Sequence, residues 1–173
     1  MTVQTVGVLI LAVADTHLTA GRADRIIDVL GDRVERADLV VHAGDVTDPA
    51  VLDLLGERCE LLAVAGNNDA IASLPERVEV TVGGVRLAMV HDSGASAGRD
   101  RRLAGWFPTA DVVVFGHSHL PWNRTVETES GVQHHFNPGS PTQKRRAPDR
   151  TIGWIEVTPD GMITCSHEIV SPS

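Results

Sequence analysis

Val112-Val113-Val114-Phe115-Gly116-His117-Ser118-His119 is the stretch from which the fold can be read. Its apolar, β-branched start has the composition of a buried strand, and the run stops at a glycine followed by two histidines. An extended backbone there would send His117 and His119 to one side and Ser118 to the other. Imidazoles leaving the end of a core strand suit metal ligation. For His-x-His alone a polar loop is the simpler account, so the weight falls on the rest of the chain.

The same pattern recurs upstream. Val6 to Ala14 is a continuous apolar run, expected of a strand buried on both faces, and it ends in Asp15-Thr16-His17. Ile26, Ile27, Leu30 and Val34 recur at helical spacing within a helix predicted over Arg22–Val34. Leu39 to Ala43 is the next strand, ending in Gly44-Asp45. Asp48 as a cap and Pro49 in the first turn open a helix through Leu55. Leu61 to Ala65 is a third strand, ending in Gly66-Asn67-Asn68-Asp69. Strands alternating with helices imply parallel pairing and right-handed crossovers. Val78–Val82, Gly83-Gly84 and Val85–Val90 then read as a hairpin that ends at His91. Ser93 to Leu103 is a loop running into a short helix. After the strand Asp111–Phe115, the segments Arg124–Thr128, Val132–Phe136, Thr151–Val157 and Met162–Ile169 read as shorter strands. The predicted fold is α/β: two mixed sheets face to face with helices outside, one domain over residues 1–173.

Composition excludes several classes. With 42% hydrophobic and 22% charged residues, the chain is an ordinary globular sequence. A net charge of −8 argues against coating genomic nucleic acid, which takes clustered Lys and Arg. The two cysteines, Cys59 and Cys165, have no metal-type spacing, so a cytoplasmic, reducing setting is expected. Val6–Ala14 is too short to span a bilayer, and no membrane association is expected. Exposed strands could pair subunits into a homo-oligomer.

Asp15, His17, Asp45, Asn67, His91, His117 and His119 therefore all follow apolar runs, where open α/β sheets gather ligands. Any one of these motifs passes for a cap or a turn; all of them together do not. Carboxylate, amide and imidazole without thiolate suit Mn²⁺, Fe²⁺, Co²⁺, Ni²⁺ or Zn²⁺. Seven such side chains exceed the needs of one tetrahedral ion but fit two ions sharing a carboxylate. Two-metal sites, with ions ~3.5–4 Å apart, clamp the attacking and leaving oxygens of an in-line displacement.

The ordered set Asp15-x-His17, Gly44-Asp45, Gly66-Asn67-Asn68-Asp69, His91 and Gly116-His117-Ser118-His119 resembles the calcineurin-like metallophosphoesterase superfamily. Asn137-Pro138-Gly139-Ser140 and the short chain resemble its small bacterial and archaeal phosphodiesterase branch. The resemblance implies an α/β/β/α sandwich and two divalent cofactor ions, Mn²⁺ first, with Fe, Ni, Co or Zn as alternatives. It implies that Asp15, His17 and His119 hold one ion, that Asn67, His91 and His117 hold the other, and that Asp45 bridges them. The implied reaction is hydrolysis of a small phosphoester, a cyclic nucleotide among the candidates, by a metal-bridging hydroxide. Asp15, Asp45, Asn67, Asn68 and His117 are then the catalytic positions, and Asn68 also a substrate contact.

Three positions depart from the family pattern. Asn68 stands where many members carry His, and an amide cannot serve as a general acid, a role contributing ~10²–10⁴-fold. Asp92 replaces a frequent Gly and Ala14 a frequent Ser. The first departure favours diesters with good leaving groups over monoesters, which remain the alternative substrate class. A non-catalytic scaffold, like the retromer's subunit of this fold, is the rival from another class. That subunit lacks part of the ligand set that is complete here.

His42 reads as a core histidine behind the ligands. His134 and His135 face opposite ways, at least one toward solvent, and His167 reads as surface. Asp69 orients a ligand or caps the next segment. Arg99, Arg101 and Arg102 could reach a substrate phosphate or form a solvated helix face, and Arg99 is the substrate contact expected among them. Lys144-Arg145-Arg146, the only basic run, could steer an anionic substrate but reads first as a solvated loop, and Trp106 and Phe107 read as core, with base stacking the lesser alternative.

Overall fold

The computed structural model describes residues 7–171. Val6, expected to open the first strand, lies outside them. In chain order the elements are β1 (Val8–Val13), α1 (Arg25–Leu30), α2 (Arg33–Arg36), β2 (Leu39–His42), α3 (Ala50–Gly56) and β3 (Leu61–Ala63). Then come β4 (Arg77–Val82), β5 (Val85–Val90), α4 (Arg99–Trp106), β6 (Val112–Val114), β7 (Trp122–Thr128), β8 (Gly131–Asn137), β9 (Thr151–Val157) and β10 (Ile163–Ile169).

One sheet runs β10-β9-β1-β2-β3, parallel through β1, β2 and β3 and antiparallel beyond. The other runs β4-β5-β6-β8-β7, parallel at its centre and antiparallel at both edges. Period-two geometry explains why β1 is apolar throughout. Ile10, Ala12 and Ala14 face the second sheet, where Leu87, Met89, Val112, Val114 and Phe136 meet them. Leu11 and Val13 face Ile26, Leu30, Val34, Val51 and Leu55 on the helical side. On the far side of the second sheet, Leu103 and Phe107 cover Ala88, Val113 and Phe115. This is the α/β/β/α sandwich the sequence predicts. Each fully buried Leu, Ile, Val or Phe in these layers contributes roughly 1.5–3 kcal/mol.

The differences from the sequence reading are local. The helix predicted over Arg22–Val34 is two short helices, because Gly31 turns the chain at φ 57° and ends α1. Helix α3 starts at Ala50, while Asp48 Oδ1 accepts the Ala50 N–H at 3.1 Å as a cap should. The hairpin is as expected, with Gly83 and Gly84 both at positive φ in a two-residue turn. His167 is not a surface residue. The Phe136 ring lies over Gly153, where a Cβ would strike it, and His167, half-buried and paired with Gly153 across the strands, stacks on that ring at 4.7 Å with Nε2 against the Asn137 carbonyl at 2.7 Å. His134 and His135 do face opposite ways. His134 is partly exposed, while His135 is buried between Asp100 and Gln133 at 3.0 and 2.7 Å.

Candidate metal centre

The turns after β1, β2, β3, β5 and β6 meet at one end of the sandwich, and all the predicted ligands sit on them. The turn after β6 differs from expectation. The chain is not extended past Val114: His117 and His119 have φ of 68° and 59°, so each imidazole is aimed by a left-handed residue, not by strand alternation. Ser118 has a structural part, since its Oγ accepts from Asn137 Nδ2 at 3.2 Å.

Two clusters of ligand-type atoms form, Asp15–His17–His119 and Asp15–Asp45–His91, each with its atoms within 4.8 Å of one another. His119 Nε2 lies 3.2 Å from His17 Nε2 and 3.5 Å from Asp15 Oδ1. Asp45 Oδ2 stands between the halves, 3.3 Å from His17 Nε2 and 3.4 Å from His91 Nε2. Asn67 Oδ1 is 3.1 Å from His91 Nε2 and 3.0 Å from His117 Nδ1. Asp15, Asp45, His91 and His119 are buried, whereas Asn67 and His117 are exposed, so the cluster opens to solvent on that side.

The donor set fits a cation. His91 Nδ1 lies 2.7 Å from the Ala43 carbonyl and His119 Nδ1 2.6 Å from the Gln143 carbonyl. A carbonyl can only accept, so the proton sits on Nδ1 of each ring and Nε2 is the atom directed into the cluster. Asp15 Oδ2 is buried and has no hydrogen-bond partner. A buried acceptor left this way costs free energy unless a positive group meets it. Burial, then the Asp45 charge, pushes the Asp15 carboxyl up to about 8, against the opposing effect of Arg145. Burial also holds His119 down to about 4 and lowers His17. Burial raises Asp45 too, but two Asn68 donors with His91 and His17 outweigh it and leave it below the usual carboxylate range.

Surrounding residues fix these ligands. Asp69 accepts the N–H groups of Asp45, Gly66 and Thr47 at 2.9, 2.8 and 2.7 Å, joining the second and third turns. Only glycine fits at 66, because a Cβ there would strike the Asp45 backbone and carboxylate. Asn68 donates its backbone N–H to Asp45 Oδ1 at 2.9 Å and its side-chain amide to Oδ2 at 2.7 Å. His42 is fully buried behind the site with Nε2 on Thr16 Oγ1 at 3.1 Å. Asp92 is exposed and accepts the Gly94 N–H, and Ala14 is buried between the sheets.

Arg99 lies elsewhere. Its guanidinium stands 5.2 Å from the Phe115 ring and 5.1 Å from the Trp122 ring, and it bonds to none of the predicted ligands. Arg102 holds the 93–97 loop through the Ser93 carbonyl at 2.7 Å, and Arg101 is exposed. Phe107 is core, and Trp106 is half-buried under Arg77. Sequence reasoning missed the strap 138–150, which leads from β8 to β9 across the site. Ser140 Oγ donates to the Asp15 carbonyl at 2.8 Å and Thr142 Oγ1 to the Thr16 carbonyl at 2.6 Å, while Gln143 receives His119. Asn137-Pro138-Gly139-Ser140 was the available signal.

A family model described as the calcineurin-like phosphoesterase superfamily domain matches residues 8–160. A probable metallophosphoesterase of Methanocaldococcus jannaschii is 33% identical over 140 residues, 79% of this chain and 70% of that protein. Among solved structures, a predicted phosphoesterase from Streptococcus pneumoniae superposes with a TM-score of 0.67 at 22% identity, covering 94% of this chain and 98% of that one. Wild-type Vps29 of Entamoeba histolytica, complexed with Zn²⁺, gives a TM-score of 0.67 at 20% identity, covering 93% and 98%. Among the described residues, no helix is long and apolar enough to cross a membrane.

Proposed function

The chain belongs to the calcineurin-like phosphoesterase superfamily, and from that premise we propose that it is a two-metal phosphohydrolase of small phosphodiesters, cyclic nucleotides among them. The observation that carries the metal reading is the buried Asp15 Oδ2 without a donor, beside imidazoles whose Nδ1 protons face backbone carbonyls. In this reading Asp15, His17 and His119 hold one ion, Asn67, His91 and His117 the other, and Asp45 both. Divalent ions supply Lewis-acid polarisation of a phosphoryl oxygen and a water acidic enough to ionise near neutral pH. The chain's own part is to fix the lone pairs inward, through the Ala43 and Gln143 carbonyls, and to steady Asp45 through Asn68 and Asp69.

The preference for diesters rests on Asn68. Its exposed amide can hold an oxygen by a hydrogen bond, but at neutral pH it surrenders no proton. A leaving group that needs protonation forgoes the ~10²–10⁴-fold that a general acid contributes. Diesters with a stable alkoxide or aryloxide leaving group lose least.

Protein stripped with a chelator and refilled with Mn²⁺ should hydrolyse a bis-aryl phosphodiester, and Asp45→Ala should lower that rate by about 10³-fold or more. Undiminished turnover in Asp45→Ala would sink the mechanism. Cyclic nucleotides, linear diesters and monoesters assayed side by side test the substrate class, and a preference for alkyl monoesters would overturn the diester reading.

A further inference from the structure

The strap 138–150 does more than join the two sheets. Its Ser140 and Thr142 hydroxyls donate to the Asp15 and Thr16 carbonyls, and its Gln143 carbonyl accepts from the His119 ring. Past these anchors the cations of the strap divide in role. Lys144 Nζ folds back onto the Pro148 carbonyl at 3.0 Å, and Arg150 Nε holds the Thr142 carbonyl at 3.0 Å. Arg145 is exposed and, among the described residues, makes no ion pair or hydrogen bond through its guanidinium. Its backbone is held left-handed at φ 46°, an expensive conformation for a residue with a Cβ. Left-handed non-glycine residues here otherwise fall on the ligand turns themselves, at Asp15, His17, Asp45, Thr47, His117 and His119.

Arg145 is also placed at a useful range. It stands two residues past Gln143, whose carbonyl meets His119 Nδ1 at 2.6 Å, and three past Thr142, whose hydroxyl meets the Thr16 carbonyl at 2.6 Å. Yet it is not paired with Asp15, whose ion-pair neighbours are His17 and His119. Two divalent ions would offset Asp15, Asp45 and Asp69, and in a chain of net charge −8 a guanidinium at the rim adds a positive group that meets an anionic substrate apart from the metals. A planar guanidinium suits terminal phosphoryl oxygens, which it can take up in pairs.

We propose that Arg145 binds the non-bridging oxygens of the substrate's phosphoryl group from the strap, facing the Asp15–His17–His119 side of the cluster. This rests on the phosphohydrolase reading and adds to it the residue that recognises the phosphoryl group apart from the metals.

The test uses full-length, Mn²⁺-loaded protein and inorganic phosphate as the probe, with titration calorimetry beside the kinetics. In Arg145→Ala, the phosphate dissociation constant and KM should rise about 10- to 100-fold, the range of one lost charged hydrogen bond. Arg145→Lys should recover part of that, and Arg146→Ala should keep the wild-type phosphate affinity. Affinity for Mn²⁺ should hold or tighten in Arg145→Ala, because a removed positive charge no longer opposes the ion. A strap residue that only supported the fold would instead lose Mn²⁺ affinity and melting temperature together, and that result overturns the proposal. So does unchanged phosphate affinity in Arg145→Ala when the wild type binds phosphate and turns over. A wild type that neither binds phosphate nor hydrolyses any ester overturns the phosphohydrolase reading along with it.

Discussion

At the scale of single residues, the buried histidine behind the site gives the clearest pH prediction. His42 is fully buried, and burial holds its imidazole down to about 4 from the ordinary 6.5. In the unfolded chain the ring takes a proton below about 6.5, while the folded protein refuses it until near 4. The unfolded state therefore binds more protons in that window, and stability falls as pH drops from 6.5 towards 4. The loss attributable to His42 alone is on the order of 3 kcal/mol across the window. Replacing it with Gln keeps a side-chain group for Thr16 and removes the titration. Urea unfolding at pH steps from 7 to 4 should show a shallower decline for His42→Gln than for wild type. Parallel declines would mean that other groups carry the acid sensitivity.

At the scale of elements, the strap between β8 and β9 organises the site as much as the strands do. Ser140 is buried; its hydroxyl donates to the Asp15 carbonyl and accepts the Gln143 N–H at 2.9 Å. Ser140→Ala leaves buried polar groups short of a partner, which costs about 1–3 kcal/mol. Because Gln143 in turn orients His119, metal affinity should also fall, by about 10- to 100-fold. Calorimetry with Mn²⁺ on the variant checks this, and wild-type affinity would reduce the strap to a plain connection. The sequence revealed the strands and the hairpin because apolar runs and a Gly-Gly turn are local signals. The strap has no periodicity, and its meaning lies in contacts more than a hundred residues away, Ser140 to Asp15 being one. The left-handed turns at His117 and His119 were hidden for the same reason, since nothing in Gly-His-Ser-His prescribes a positive φ. His167 was misjudged because the Phe136 ring and the Asn137 carbonyl that receive it come from another strand, some thirty residues earlier.

At the scale of the whole molecule, the fold holds together a site that is unfavourable when empty of positive charge. Asp15, His17, Asp45, His117 and His119 sit at positive φ, each at a cost on the order of 1–3 kcal/mol, while Asp15 Oδ2 lacks a donor. The layers of the sandwich supply the stability that keeps these residues where they are, as strained sites require of their scaffold. A ligand that binds only the folded form returns stability in proportion to its concentration, about 2.7 kcal/mol at a hundredfold excess over its dissociation constant. For a chain of this size each kcal/mol moves the melting temperature by about 2–4 °C. Mn²⁺ added to chelator-stripped protein should therefore raise the melting temperature by about 5–10 °C at that excess, and further with each tenfold addition. Asp45→Ala, which removes the carboxylate placed between His17 and His91, should lose most of the rise. A melting temperature indifferent to Mn²⁺, Zn²⁺ and Co²⁺ in the wild type would contradict the metal centre itself. In that case the strain on these turns would need another cause, because turns closed only by hydrogen bonds could be built at lower cost from glycine and asparagine.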